Sequence, residues 1–146
     1  MPTYTVKFSN LKISNFQKKK LANQITNIHN KTTGANTYFA QVVFYEIKKN
    51  NHFMGGKVVR GKELFVNGQI RAGRTEEVKN NLIIGIRDGV MKVLKLQKEN
   101  IWVYLEDLKP NQMIEYGEIL PKSGEEKIWF DKLSPKLKKK LNDLEK

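Results

Sequence analysis

A pattern of apolar periodicity that runs twice along the 146-residue chain is its most constraining feature. Tyr4-Thr5-Val6-Lys7-Phe8 alternates large and polar residues, the period of a half-buried strand. Ser14 and Gln17 then have the spacing of a capping box, and Leu21, Ala22, Ile25, Ile28 and His29 recur on one helical stripe. Gly34 closes that helix in a polar stretch. A second strand is predicted through Tyr38–Ile47, too apolar on both faces for an exposed edge. Lys48 to Lys62 is polar and Gly-bearing and reads as a loop or hairpin. The pattern then repeats, with a short strand at Glu63-Leu64-Phe65-Val66 and a helix start at Thr75 followed by acidic Glu76 and Glu77. Val78, Leu82, Ile86, Val90 and Val93 follow at helical spacing, and Ile101-Trp102-Val103-Tyr104-Leu105 is an aromatic, β-branched strand. A β-α-β connection implies parallel pairing through a right-handed crossover. The expected fold is therefore α+β: two β-α-β halves, about residues 2–60 and 61–110, form a four-stranded mixed sheet with two helices on one face. The repeat is architectural, because the halves share no literal sequence identity.

Beyond Pro110 the pattern changes. Met113-Ile114-Glu115-Tyr116-Gly117 is a short segment between turn signals, and Ser134-Pro135 pairs a good N-cap with a good first helical residue. Leu133, Leu137, Leu141 and Leu144 then form a narrow apolar stripe on a Lys-rich helix. Residues 1–134 read as one domain, with 135–146 an added C-terminal helix. Two readings of that helix stand: its leucine face packs on the body, or Lys138-Lys139-Lys140 meets a partner or nucleic acid.

Charge bears on the choice of partner. The chain carries 27 Lys+Arg against 15 Asp+Glu, a formal +12, which raises nucleic acid as a partner. Only four of the basic residues are arginine (Arg60, Arg71, Arg74 and Arg87), whereas phosphate forks and base edges are read chiefly by arginine. Nucleic acid is therefore not the expected partner, and a basic nucleic-acid-binding module is kept as the alternative of another class. The absence of Cys excludes a disulfide framework, a thiolate nucleophile and any Cys-based metal site. No apolar run approaches the ~20 residues of a membrane span, and the first residues lack the shape of a signal peptide. A soluble cytoplasmic protein is expected, in which the sequon Asn30-Lys31-Thr32 has no consequence.

Several motifs fail on inspection. Gly56 to Lys62 matches seven positions of a phosphate-binding loop, but Glu63 stands where Ser or Thr must hold magnesium, and a strand follows where a helix should begin. His29 and His52 are the only histidines, and neither has a carboxylate at ligand spacing, so no metal and no cofactor is expected. The nucleophile elbow and the RNA-recognition signature are both missing.

Pro2 is what survives. A chain whose second residue is proline usually loses its initiator methionine, which leaves a free secondary amine at the start of a strand. An α-amino group titrates near neutrality, around 7.7–8.0, and so serves as acid, base or nucleophile. Arg71-Ala72-Gly73-Arg74 puts two guanidinium groups between a strand and the Thr75 helix start, an arrangement that suits a carboxylate held bidentately. Two surface arginines, a core-edge His29, a strand aromatic at Tyr104 and a turn carboxylate at Glu115 are the alternative readings of the same residues.

Taken in order, Pro2, His29, Gly55-Gly56, Arg71-Ala72-Gly73-Arg74, Ile101-Trp102-Val103-Tyr104, Met113 to Gly117 and Trp129 to Ser134 resemble the tautomerase superfamily, specifically the cis-3-chloroacrylic acid dehalogenase family. The resemblance spans roughly Pro2 to Ser134 and does not extend to the lysine-rich tail. It implies a homotrimer and a site in which His29, Arg71 and Arg74 grip a substrate carboxylate. Glu115, helped by Tyr104, would activate water for attack on C3 of an unsaturated acid, and Pro2 would deliver a proton to C2. Tyr4 is implied as an accessory aromatic. The direction of proton traffic at Pro2 stays open: a cationic proline is the acid of a hydration, and a free amine is the base of an enol–keto tautomerisation. A catalytically retired member of the fold is a third reading.

Overall fold

The computed structural model describes residues 2–145. β1 (Thr3–Ser9) leads into α1 (Asn15–Thr33) and β2 (Gln41–Glu46); a small hairpin of β3 (Phe53–Met54) and β4 (Lys57–Val58) follows. β5 (Glu63–Arg71), α2 (Glu76–Leu94) and β6 (Ile101–Leu108) form the second unit. A second hairpin, β7 (Ile114–Glu115) and β8 (Glu118–Ile119), precedes α3 (Glu126–Lys132) and α4 (Pro135–Glu145). The main sheet has the order β2-β1-β5-β6. Pairing is parallel within each unit and antiparallel where β1 meets β5.

Local chemistry sets these boundaries. The Ser14 side chain accepts from the Gln17 amide while the Gln17 side chain accepts from the Ser14 amide, a complete capping box. Gly34 closes α1 at φ 73°, a conformation that favours glycine. Thr75 caps α2 by accepting from the Val78 amide. Tyr4, Val6 and Phe8 of β1, with Leu64, Val66 and Ile70 of β5, bury against Leu21 and Ile25 of α1 and Leu82, Ile86 and Val90 of α2. The opposite face of the sheet leaves Tyr45, Trp102 and Tyr104 exposed.

The expectations for three strands need correction. The strand expected to avoid an edge, Tyr38–Ile47, is an edge strand of this chain's sheet. It is also shorter than expected: Thr37–Phe39 is a 3₁₀ turn that turns Tyr38 and Phe39 into a separate core. The strand read as ending at Val66 runs on to Arg71 through Asn67-Gly68, a pair that ordinarily marks a turn. The glycine is there for space, because Gly68 lies opposite Tyr4 and a Cβ at this position would meet the Tyr4 ring at 2.5 Å. Similarly, the strand read as Ile101–Leu105 extends to Leu108.

The separate core consists of Tyr38, Phe39, Leu120, Trp129, Leu133 and Leu141, with Met113, Tyr116, Phe130 and Leu137 packed around it. Leu141 is fully buried, whereas Leu144 is 55% exposed. The leucine face of α4 therefore packs on the body; Lys136 and Lys139 face solvent, while Lys138 and Lys140 lie back over the Phe130 and Tyr116 rings. Among the described residues, no helix is long and apolar enough to cross a membrane.

Candidate active site

β1 begins immediately after Pro2, whose side chain is fully buried and whose carbonyl accepts from the Gln41 amide at 3.0 Å. Beside it opens a cleft of about 450 Å3 lined by Thr3, Phe39, Gln41, Met113, Glu115 and Tyr116, among others. The 3₁₀ turn and the β7–β8 hairpin thus bring Glu115 to the end of β1 where Pro2 sits. A second cleft of about 320 Å3 shares Phe39 as a wall and is lined by Arg74, Asn36, Ser123 and Glu126.

His29 and Tyr4 meet under this end of the sheet. The Tyr4 hydroxyl and His29 Nδ1 are 2.7 Å apart, with the rings edge to face, and both residues are buried. Burial raises the Tyr4 phenol, which therefore stays protonated. Burial first, and then the Arg74 guanidinium, push His29 down to about 3. The imidazole is neutral at neutral pH and reaches a ligand as a hydrogen-bonding group rather than as a cation.

That depression links stability to acidity. Above pH 6.5 the neutral imidazole is the ordinary form in folded and unfolded chains alike. As pH falls through 6.5, the unfolded chain takes up a proton that the folded chain refuses until about 3, so stability is lost in that window. Between pH 7.5 and pH 5 this one group removes about 2 kcal/mol. Urea unfolding at the two pH values should show a His29→Gln variant losing less stability than the wild type by about that amount; equal losses would contradict the assignment.

The two arginines differ. Arg71 is buried, its Nη1 donating to the Pro121 carbonyl at 2.9 Å and the Lys122 carbonyl at 3.4 Å, and its Nη2 pairing with Glu126. The Glu126 carboxylate also accepts from the Gly124 amide at 2.8 Å and is held below the usual carboxylate range, although its burial acts the other way. Arg74 is half-buried, and among the described residues its guanidinium carries no hydrogen bond or ion pair. Burial and the neighbouring Arg71 both lower its proton affinity, with Glu126 opposing. Of the pair, Arg74 has the open fork. The partnership of Arg71 with Glu126 spans 55 residues of sequence and had no local signal. Phe39 and Gln41, which wall the cleft, were equally invisible because they read as ordinary strand residues.

Tyr104 lies elsewhere. It pairs with Asn67, which pairs with Thr5, and its ring stacks edge to face on Phe65 on the exposed side of the sheet. Two strand spacings across and three residues along put it roughly 14 Å from Pro2, by strand geometry. The protomer thus brings Pro2, Tyr4, His29, Arg71, Arg74 and Glu115 to one end and leaves Tyr104 apart.

The model of the oxalocrotonate tautomerase enzyme family matches residues 1–132. A crystal structure of N1, a member of the cis-3-chloroacrylic acid dehalogenase (cis-CaaD) family, superposes with a TM-score of 0.92 at 30% identity, covering 97% of this chain and 99% of that one. The chain belongs to the cis-CaaD family of the tautomerase superfamily. Another similar structure, native Ps01740, has a TM-score of 0.72 at 28% identity and covers 77% of this chain and 99% of its own. A symmetric trimer of a fused 4-OT shares the fold at 20% identity, with a TM-score of 0.73 over 81% of this chain and 94% of its own. No curated protein matches the chain. Membership extends the resemblance to a family of enzymes. The family model stops at residue 132, but the superposition with N1 covers 97% of the chain and so reaches into α4, which Leu141 ties into the body.

Proposed function

We propose that this cis-CaaD family member adds water to small α,β-unsaturated carboxylates, with Pro2 as general acid and Glu115 activating the water. The observation that carries the reading is the 450 Å3 cleft, which joins Glu115 to Thr3 and Gln41 on either side of the Pro2 backbone. Removal of Met1 would expose the Pro2 amine at this cleft. The open fork of Arg74 takes the substrate carboxylate, with neutral His29 as a hydrogen-bonding partner and Tyr4 orienting it. Arg71, held by Glu126, contributes positive potential and braces the loop bearing Arg74. Drawing charge toward the carboxylate makes C3 electrophilic. Glu115 accepts a proton from water as its oxygen bonds to C3, and the Pro2 cation gives a proton to C2. With a halogen on C3, the resulting halohydrin loses hydrogen halide to leave malonate semialdehyde.

Tyr104 joins such a site only from another copy of the chain, because its own protomer keeps it on the exposed sheet face. The edge strand β2 and the exposed Tyr45, Trp102 and Tyr104 support a homotrimer in which copies cover one another's sheets. Size-exclusion chromatography with light scattering is expected to give three times the chain mass, and a monomer at micromolar concentration would contradict it. No cofactor or metal enters this scheme, and an intracellular location suits it.

A panel of cis- and trans-3-haloacrylates, 2-alkynoates and enol pyruvates, with products followed by NMR, tests the reading. Hydration products from the first two groups, lost with Arg74→Ala through a raised KM, are expected. Turnover of enol pyruvates alone would favour tautomerisation with Pro2 as base, and salt-dependent DNA binding without turnover would favour a binding module.

A further inference from the structure

The β7–β8 hairpin turns through two residues with positive φ, Tyr116 at 55° and Gly117 at 88°, which join the paired Glu115 and Glu118. Positive φ at both central positions is the signature of a type I′ turn, whose first central position favours Asn, Asp or Gly. A tyrosine there is an unfavourable local choice that surrounding structure must hold in place.

What holds it is specific. The Tyr116 hydroxyl donates to the Tyr38 carbonyl, and its ring packs on the second core below Lys140 of α4, whose Nζ lies 5.9 Å from the ring centroid. Burial and then the adjacent Glu115 raise the phenol, so the donor stays protonated. Tyr38 belongs to the 3₁₀ turn, and two residues after that turn the Gln41 amide donates to the Pro2 carbonyl. A single short stretch of chain, Tyr38 to Gln41, is therefore the common footing of Pro2 and of the hairpin that bears Glu115. We infer that Tyr116 is a positioning residue that fixes Glu115 relative to Pro2 through the Tyr38 carbonyl, with α4 clamping its ring. This rests on the reading of Glu115 as the group that activates water.

Turn chemistry and positioning make opposite predictions for Tyr116→Asn. Asn suits the left-handed turn position and removes the anchor, whereas Tyr116→Phe keeps the ring and removes only the hydrogen bond. With the full-length enzyme and a cis-3-haloacrylate, Tyr116→Phe is expected to lower kcat ~10-fold with KM changed less than about twofold, since a small misplacement of a catalytic group is costly while Arg74 still binds the carboxylate. Tyr116→Asn is expected to lose more. Wild-type kcat in Tyr116→Asn, or losses in both variants that appear only in KM, would overturn the inference. If Tyr116→Asn fails to fold, Tyr116→Phe decides alone by the same split. Glu115→Gln separates the premise: if it retains activity, or if the wild type does not turn over the probe, the proposed function fails and this inference with it. If Glu115→Gln is inactive while both Tyr116 variants match the wild type, only the positioning role fails.

Discussion

Replacing Pro2 with Ala should cost hydration of a 3-haloacrylate about 10²-fold in kcat, the scale of a proton donor no longer held in line with its target carbon. The variant still begins with an amine once Met1 is removed, so the loss measures what the ring supplies: a secondary amine whose nitrogen has a fixed direction at the start of β1. The buried ring and the backbone bond to Gln41 hold that nitrogen in one place at the edge of the Glu115 cleft. Intact mass of the purified wild type should show Met1 absent, because an acylated proline nitrogen has no proton to give. Steady-state kinetics of both forms checks the prediction, and turnover unchanged in Pro2→Ala would remove Pro2 from the mechanism.

Leu141→Ala should destabilise the protein by about 2–5 kcal/mol, the range for truncating a buried leucine in a packed core. Leu141 is completely buried among residues drawn from the 3₁₀ turn, the segment that follows β8, α3 and α4. Leu144, three residues on and 55% exposed, should change stability by no more than about 0.5 kcal/mol when made Ala. Urea unfolding of the two variants tests the contrast. Near-equal effects would mean that α4 does not use Leu141 as its anchor. The same core carries Tyr116, so Leu141→Ala is also expected to lower turnover at temperatures where the protein remains folded.

Most of the scaffold was legible because its signals are local. The Ser14–Gln17 box, the Gly34 cap and the apolar stripes of α1 and α2 each act within one or two turns of chain. The length of β5 was not legible: Asn67-Gly68 carries a turn signature, and only the Tyr4 ring opposite explains the glycine. The edge position of β2 was misread for a related reason. Apolar side chains on both faces of a strand signal burial, but they do not say whether the same chain or another copy provides it.

At the site, residue types were readable and their partnerships were not. Arg71 and Arg74 look alike in sequence, yet Glu126 and two carbonyls from a distant loop engage the first while the second keeps an open fork. His29 reads either as a core-edge residue or, by resemblance, as a carboxylate-binding one, and only its burial against Tyr4 shows that it stays neutral. Tyr104 lies in a stretch that carries the resemblance but on the exposed face of its own sheet, so in the proposed site it would have to come from another copy. The +12 charge resolves differently again: on α4, Lys136 and Lys139 face solvent while Lys138 and Lys140 lie over the Phe130 and Tyr116 rings, and in the proposed function a small carboxylate would meet the guanidinium of Arg74.

Proton NMR of the processed enzyme with cis-3-chloroacrylate in deuterated water tests the central claim most directly, because it observes both the carbon that water attacks and the carbon that Pro2 protonates. The account predicts malonate semialdehyde, with deuterium delivered to C2 and with chloride released, and none of these from the Glu115→Gln variant. Unchanged substrate at high enzyme concentration, or product formed equally well without Glu115, would contradict it.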